Sequence, residues 1–495
     1  MSALPVYRHH IAGQAVEPAG GQYFESHDPY TAQPWALVAR GDARDVDRAV
    51  DAAHEAFERG PWSTMTASQR GALLLRLADL IGPEAQRLAG IEVRDNGKLY
   101  AEMSAQTAYM AQWYRYYGGL ADKIEGAVIP TDKPDTLNYT RQEPLGVVAC
   151  IIPWNSPLLL TAWKLAPALA AGNTVVIKPS EYTSASLLEF MDLIVRAGFP
   201  PGVVNVVTGF GAEVGTPLVE HPRVAKVAFT GSDRTGQLIY ETAARGLKRV
   251  SMELGGKSPN IVFADAELDN AVKGVVSGIF AATGQTCIAG SRLLVQRSIH
   301  DAFVERLVAL ARTARMGNPM ESTTQVGPVT NLPQFEKILG YIDIARGEGA
   351  RAVLGGERAR RPECGTGWFV EPTIFTGVDN AMRIAQEEVF GPVLAVIPFD
   401  DEADAVRIAN DVPFGLAAGV WTQNMRCALR MSERLRAGTV WVNTYRAVSY
   451  LSPFGGYKRS GIGRESGQDM IREYLQTKSV WISTAAEVAN PFVLR

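Results

Sequence analysis

The sequence predicts an α/β protein built on a doubly wound parallel sheet, and two observations carry that reading. Between Val147 and Glu253, short apolar runs alternate with stretches of helical periodicity. Buried strands alternating with helices make βαβ units and a parallel sheet, which binds ligands at the carboxyl ends of its strands. A second α/β pattern begins near Ala271 and continues to Pro398. The composition agrees: 46% hydrophobic and 20% charged residues suit a large buried core and exclude a disordered chain. At about 150 residues per domain, the 495 residues allow two to four domains. No repeat, linker or low-complexity tract divides them, so short crossings or discontinuous segments must.

In chain order, Asp42 to Gly60 reads as a helix, with Val46, Ala49, Val50, Ala53 and Phe57 on one face. Thr66 to Asn96 reads as two helices broken at Gly82-Pro83, and Ala101 to Tyr117 as a further, aromatic-rich helix. Thr136 to Gln142 reads as a strand. The alternating stretch then gives strands Val147–Ile152, Thr174–Lys178, Val203–Thr208, Lys226–Thr230 and Arg249–Glu253. Helices Pro157–Ala171, Ser184–Ala197, a short one ending at Glu220, and Asp233–Ala244 separate them. The second pattern has helices Ala271–Ala282 and Ile299–Ala314, and strands Ser291–Val295, Arg351–Leu354 and Val393–Pro398. Tyr474 to Ser483 alternates like an exposed strand, which needs a partner strand, either within the chain or in another subunit.

Several function classes drop out. With 49 basic and 52 acidic residues, the net charge of −3 offers no nucleic-acid surface. The four cysteines, Cys150, Cys287, Cys364 and Cys427, form no CxxC and no disulfide framework, which suits a reducing compartment. The six histidines form no HxxxH or HExxH cluster, so no metal site is expected. Met1 to Val16 carries no signal peptide. The apolar stretch Gly146 to Ile177 is interrupted by Asn155, Ser156, Pro157 and Lys164, so it belongs to a core and not to a membrane. A cytoplasmic enzyme is the expectation, with a structural or binding protein as the alternative.

Two glycine-rich turns invite a cofactor. Gly209 to Gly215 spells GxGxxxG, one residue longer than a dinucleotide fingerprint, and serves equally as a plain turn. Phe229-Thr230-Gly231-Ser232 follows a strand and opens a helix, whose free N–H groups can hold phosphate; Ser232 can also simply cap it. Lys178 and Glu181 end another strand, where a carboxylate suits the hydroxyls of an adenosine ribose and would repel a 2′-phosphate. A solvated ion pair is the plainer alternative. For chemistry, Cys287 sits in a small-residue turn, Glu253 ends a strand before paired glycines, and Asn155 ends another strand. A thiolate can attack a carbonyl, an amide can stabilise the oxyanion, and a carboxylate can activate water. Cys150, in an apolar strand, reads as an inert core thiol.

Eight stretches together resemble the NAD(P)-dependent aldehyde dehydrogenase superfamily. They are Pro153-Trp154-Asn155, Lys178-Pro179-Ser180-Glu181, Phe229 to Ser232, Glu253 to Ser258, Gly284 to Cys287, Glu388 to Pro392, Phe454 to Lys458, and Ser460 to Glu465. The resemblance runs from Tyr23 to Ile482. It implies a Rossmann-like NAD-binding domain (1–120 and 144–255), an α/β catalytic domain (256–470), and a small β flap of oligomerisation segments (121–143 and 471–495) forming a homodimer or homotetramer. It implies Cys287 as nucleophile, Asn155 and the Cys287 N–H as oxyanion donors, and Glu253 as general base. Trp154, Lys178, Glu181, Gly231 and Ser232 would hold adenosine and pyrophosphate. Glu388 would bind the nicotinamide ribose, with Phe390 beside the ring. Glu465 would stand behind the pocket, associated with Lys178 and with proton movement.

The resemblance also implies a substrate pocket of Tyr109, Trp113, Ser156, Leu160, Trp163, Ala281, Tyr445, Arg446 and Val448. Ser156 and Ala281 stand where many members carry aromatics, which widens the channel. Arg446 could pair with a substrate carboxylate, hydroxyl or carbonyl, or bond a neighbouring loop. It disfavours a quaternary ammonium and favours a bulky polar, aromatic or semialdehyde substrate. Members that transfer the acyl group to coenzyme A typically lack a glutamate at the position of Glu253, so hydrolysis to the free acid is expected and a CoA-acylating semialdehyde dehydrogenase is the alternative. NAD is the expected cofactor; NADP stays open because Lys178 could meet a 2′-phosphate. Thr286 and Ile288 flank Cys287, so no vicinal disulfide can form there.

Overall fold

Five parallel strands form the centre of the first sheet, in the spatial order Arg249–Glu253, Val224–Thr230, Val147–Ile151, Thr174–Lys178, Val204–Val206. Every residue of the strands at 147, 174 and 204 is buried, as strands covered by helices on both faces must be. The order reverses between the strands at 147 and 224. That reversal is the switch point at which doubly wound sheets open a crevice. Antiparallel strands close both edges, Gly461–Ile462 beside Arg249–Glu253 and His9–Ile11 beside Val204–Val206. The computed structural model describes residues 4–487 and 490–492, so the termini of the expected domain ranges lie outside them.

The second sheet has six parallel strands, in the order Thr373–Thr376, Val393–Phe399, Arg292–Gln296, Pro259–Val262, Ala417–Trp421, Thr439–Val442. Arg351–Leu354 pairs antiparallel on its edge. Leu254 to Ser258 joins the two sheets, and the chain returns to the first after Thr439–Val442. Gly461–Ile462 belongs to the first sheet although it lies within the stretch expected for the second domain. A third, three-stranded sheet pairs Leu475–Ser483 with Thr136–Pro144 over nine residues, and Thr136–Pro144 with Val128–Ile129. Trp481 on its free edge strand is 57% exposed. Among the described residues, no helix is long and apolar enough to cross a membrane.

Two expectations are corrected. Ala67–Asn96 is one continuous helix and not a pair. Pro83 removes one helical hydrogen bond, but Leu74, Leu77, Ile81, Ala85 and Leu88 are buried along one face across it. Tertiary packing against Tyr100–Leu120 therefore outweighs the local defect. The helix expected to reach Ala282 stops at Phe280, because Ala281 is extended (ψ 146°) and Ala282 and Thr283 turn left-handed (φ 52° and 54°). The sequence reading also passed over the sheet Val6–Tyr7, Gln33–Ala39, Tyr23–Asp28 and the helices Leu332–Gly347, Glu402–Asn410 and Met425–Arg434.

The long helix ends at Gly97, in the left-handed region (φ 72°). A Cβ there would stand 2.7 Å from Pro328 Cγ and 2.9 Å from Pro29 Cβ. Gly97→Ala is therefore expected to destabilise the fold by about 2 kcal/mol or more, through both strain and overlap. Thermal unfolding monitored by circular dichroism, with a clear fall in midpoint, checks this.

Candidate active site

The crevice at the switch point is lined from both sheets. Pro153 to Asn155 follow the strand at 147, Thr230 to Ser232 follow the strand at 224, and Glu253 to Gly255 end the strand at 249; Cys287, Glu388 and Phe390 face them from the second unit. The open space among them is about 580 Å³. Gln334 and Lys337, on the helix Leu332–Gly347, complete its wall and were absent from the sequence reading.

Cys287 is half-buried, whereas Cys150, Cys364 and Cys427 are buried. Its loop is held under strain. Ala282, Thr283 and Gly284 are all left-handed, and Gly284 lies against the Gly391 carbonyl so closely that a Cβ would overlap it. Side chains pin the turn: Thr283 Oγ1 donates to Gly327 O (3.1 Å), and Gln285 Oε1 accepts from Thr330 N (2.9 Å). Asn155 Nδ2 donates to Gln285 O at 3.1 Å, which fixes the amide against the cysteine loop and leaves its second N–H free.

Glu253 is 4% exposed, and neither carboxylate oxygen has a hydrogen-bond partner among the described residues. Its carbonyl accepts from Gly231 N (3.1 Å), and the next residue's N–H, of Leu254, donates to Ser460 O (2.9 Å). Glu388 Oε1 accepts from Gly256 N at 2.9 Å. A Cβ on Gly255 would overlap the Glu388 carboxylate, and one on Gly256 would stand 2.5 Å from Cys287 O. The two glycines thus admit the close approach of Glu388 and the Cys287 loop to the strand end.

Burial sets the protonation states. It pushes the Cys287 thiol up to about 12, and the nearby Glu388 and Glu253 carboxylates push the same way. Burial lifts Glu388 to about 7 against the Gly256 N–H. Glu253 is held well above the carboxylate range by burial and then by Glu465, with Lys164 opposing.

Glu465 does not meet Lys178. Its Oε1 accepts from Lys164 Nζ, which also donates to Thr230 Oγ1 at 2.6 Å; its Oε2 is buried and unbonded. Lys178 Nζ donates instead to Pro179 O (2.8 Å) and stands 3.8 Å from Glu181. The correction has a physical reason. Lys164 is a lone cation on a helix of otherwise buried, mostly apolar residues, and a buried ammonium requires a carboxylate. That signal was present in the sequence and was read only as an interruption of an apolar run. The Glu465 backbone pairs with Phe454 (N–H to O, 2.6 Å in both directions), and Gly461–Ile462 joins the first sheet, so the carboxylate arrives behind Glu253.

Of the other expected cofactor residues, Trp154 and Phe390 meet edge to face at 5.1 Å, with Phe390 left-handed (φ 59°). Ser232 Oγ accepts from Thr235 N (3.2 Å) and so caps the helix Asp233–Arg245; this is the plainer role weighed for it. The Gly209–Gly215 turn lies outside the crevice, although Gly215 packs on Lys178.

The expected pocket residues form a wall on the far side of Cys287. Trp113, Leu160, Trp163, Tyr445, Val448 and Tyr450 share one apolar cluster with it. Trp113 stacks on Trp163 at 5.6 Å and donates from Nε1 to Ser466 Oγ (2.9 Å). Tyr109, 37% exposed, stands edge-on to Trp113 at the rim. Tyr445 donates to Ile288 O (3.0 Å) and fills space left by Gly278, Gly290 and Gly419. Ala281 is half-buried before Ala282, whose N–H donates to Glu102 Oε1 (3.1 Å). Ser156 accepts from Lys98 Nζ at 2.9 Å, so a lysine occupies part of the expected free width. Arg446 is half-buried, left-handed (φ 67°), and reaches Ser277 O at 3.4 Å.

A model of the aldehyde dehydrogenase family matches residues 16–480. The (Z)-2-((N-methylformamido)methylene)-5-hydroxybutyrolactone dehydrogenase of Acinetobacter baylyi is 50% identical over 479 residues, covering 96% of this chain and 97% of that protein. Among solved structures, betaine aldehyde dehydrogenase from Staphylococcus aureus in complex with NAD+ superposes with a TM-score of 0.97 at 41% identity, covering 98% of this chain and 97% of that one. The NAD+ complex of an aldehyde dehydrogenase from Bacillus cereus gives 0.94 at 46% identity, covering 97% of both chains.

The buried Lys164–Glu465 pair yields a stability test. Lys164→Met strands a buried carboxylate, with an expected cost of about 3–5 kcal/mol. Adding Glu465→Leu recovers most of the loss, because the second change removes the orphaned charge. Thermal midpoints of the single and double variants measure both effects.

Proposed function

The chain belongs to the aldehyde dehydrogenase family, and from that premise we propose how its residues oxidise an aldehyde to a carboxylic acid with NAD. One observation carries the reading: a half-buried thiol, an amide with a free N–H and a carboxylate with two unbonded oxygens share one crevice.

The crevice fits a dinucleotide. It opens at the switch point of a parallel sheet, Gly231 and Gly255 keep its wall free of side chains, and Glu388 lines it; Lys178 and Glu181 follow the neighbouring strand, outside that lining, and Glu181 borders a separate pocket with Phe24 and Phe210. Lys178, Glu181, Trp154, Gly231 and Ser232 would hold the adenosine and pyrophosphate, with Glu388 and Phe390 at the nicotinamide end. NAD, when bound, supplies the acceptor for the two electrons and the hydrogen that leave the substrate carbon.

The Cys287 thiol loses its proton to solvent in the crevice, its sulfur forms a bond to the aldehyde carbon, and the carbonyl oxygen becomes an oxyanion held by Asn155 Nδ2 and the Cys287 N–H. Loss of hydride from that carbon leaves a thioester on Cys287. Glu253 takes a proton from water, the hydroxide adds to the thioester carbon, and the C–S bond breaks to release the acid and the thiolate. The raised pKa of Glu253 makes it a stronger base than an exposed carboxylate. The adjacent Glu465–Lys164 pair receives or returns its proton. Glu253 favours this hydrolytic route over acyl transfer to coenzyme A, and the intact trio favours catalysis over a purely structural role.

The substrate reading is a bulky polar, aromatic or semialdehyde compound, supported by the aromatic wall and by Arg446 at its rim. The Acinetobacter relative, named for a hydroxybutyrolactone, fits an oxygen-rich substrate better than a quaternary ammonium. The stretches 1–120 with 144–255, and 256–470, serve as cofactor and catalytic domains. The exposed edge Leu475–Ser483 supports a homodimer or homotetramer, and the four free cysteines suit the cytoplasm.

A panel of benzaldehyde, succinic semialdehyde and betaine aldehyde with NAD and NADP, followed by absorbance of the reduced cofactor, tests the reading; best turnover on betaine aldehyde, unchanged in Arg446→Ala, would overturn the substrate class. Glu253→Gln is expected to retain a burst of one NADH per site while steady turnover falls about 10²-fold or more. In the unaltered enzyme the base form of Glu253 accumulates as pH rises through its raised pKa. Deacylation therefore rises with pH along a limb well above the usual carboxylate range, and rapid-quench measurements across pH check it. Glu181→Ser removes the carboxylate that repels a 2′-phosphate. Its expected result is a shift of the NAD-to-NADP ratio of kcat/KM toward NADP by about tenfold, seen in parallel titrations.

A further inference from the structure

We propose that Lys98, with Ser156, binds a carboxylate on the substrate and selects aldehydes that carry an acid group. The inference rests on Cys287 being the nucleophile, and deepens that reading to a substrate class.

Lys98 is placed by a built turn. The long helix stops at Gly97, whose left-handed backbone packs against Pro328 and Pro29. Asn96 Oδ1 accepts from Lys98 N (2.9 Å), and Asn96 O accepts from Thr330 Oγ1 (2.7 Å). The side chain is driven inward until it is 2% exposed, and Nζ donates to Ser156 Oγ at 2.9 Å. Ser156 directly follows Asn155. The Lys98 ammonium is close enough to Cys287 for each charge to act on the other.

The ammonium has three donors, and Ser156 is the one acceptor it meets among the described residues. No carboxylate there lies within 4.0 Å of it, nor of the Arg446 guanidinium, although burying a lysine without a partner is costly. Glu92 and Glu102 act on it from a distance. Glu102 Oε1 is engaged by Ala282 N, while Glu102 Oε2 and Glu92 Oε2 are buried without a partner among the described residues; burial pushes Glu92 up to about 8 and Lys98 down to about 8. Arg446, which reaches Ser277 O, is a second basic side chain near Lys98 and repels it. An anionic group from the substrate would supply a contacting counter-ion, accepting two charge-assisted hydrogen bonds from Lys98 and one from Ser156 if its hydroxyl turns.

The test compares succinic semialdehyde with its methyl ester, which has the same aldehyde and no charge, and with butanal. The expected result is a kcat/KM at least about tenfold higher for the acid than for the ester in the unaltered enzyme. Lys98→Met should collapse that ratio about tenfold through KM for the acid, while Arg446→Ala lowers it less. Lys98→Gln, which keeps a donor toward Ser156, provides the same discrimination if the methionine variant does not fold. With neither variant soluble, the acid-to-ester ratio decides alone. An acid-to-ester ratio near one overturns the proposal, as does a ratio that survives Lys98→Met or disappears only with Arg446→Ala. Failure of all three aldehydes to yield NADH would instead overturn the oxidation chemistry itself.

Discussion

The site depends on a place where the chain passes within contact distance of itself. Glu253 ends one sheet and Pro259 begins the other, and the five residues between them include Gly255 and Gly256. Against those two glycines lie the Glu388 carboxylate and the carbonyl of Cys287. Glu253, Cys287 and Glu388 come from three distant parts of the sequence. They converge where two residues of the linker, Gly255 and Gly256, have no side chains. Every other contact of the site adjusts a geometry that this absence permits.

That convergence gathers negative charge in a dry place. Burial raises both Glu253 and Glu388; Glu465, which accepts from the buried Lys164, raises Glu253 further, while Lys164 opposes the shift of Glu253, and Lys337 and Lys257 that of Glu388. The resting thiol is held in its protonated form by the same field. A site so arranged does not keep a permanently reactive thiolate. It keeps an acid–base reservoir whose members change state as charge enters and leaves the crevice.

The fold class was legible because the strands from Val147 to Glu253 are buried on both faces and read as continuous apolar runs. That Cys287, Glu253 and Asn155 line one crevice was legible because their local patterns occur together in a family's order, not because any one pattern is specific. What escaped was long-range. Pro83 reads as a helix end from its neighbours, yet the helix continues because of packing against residues in another helix. The partner of Glu465 is 301 residues away in sequence, and a shared strand end at Thr230 brings Lys164 to it. Lys98 gave no signal at all, since its burial follows from where the preceding helix points.

That helix, Ala67–Asn96, is also a ruler. It is capped at its start by the reciprocal bonds of Thr66 and Gln69 and stopped at its end by Gly97. Each residue of an α-helix advances about 1.5 Å and turns about 100°, so one residue gained or lost between the caps would carry Lys98 to another face of the helix axis. Surface loops elsewhere in the chain can lengthen without reaching the crevice. This stretch cannot, and among related sequences that keep the lysine its length should be invariant while its exposed residues drift freely.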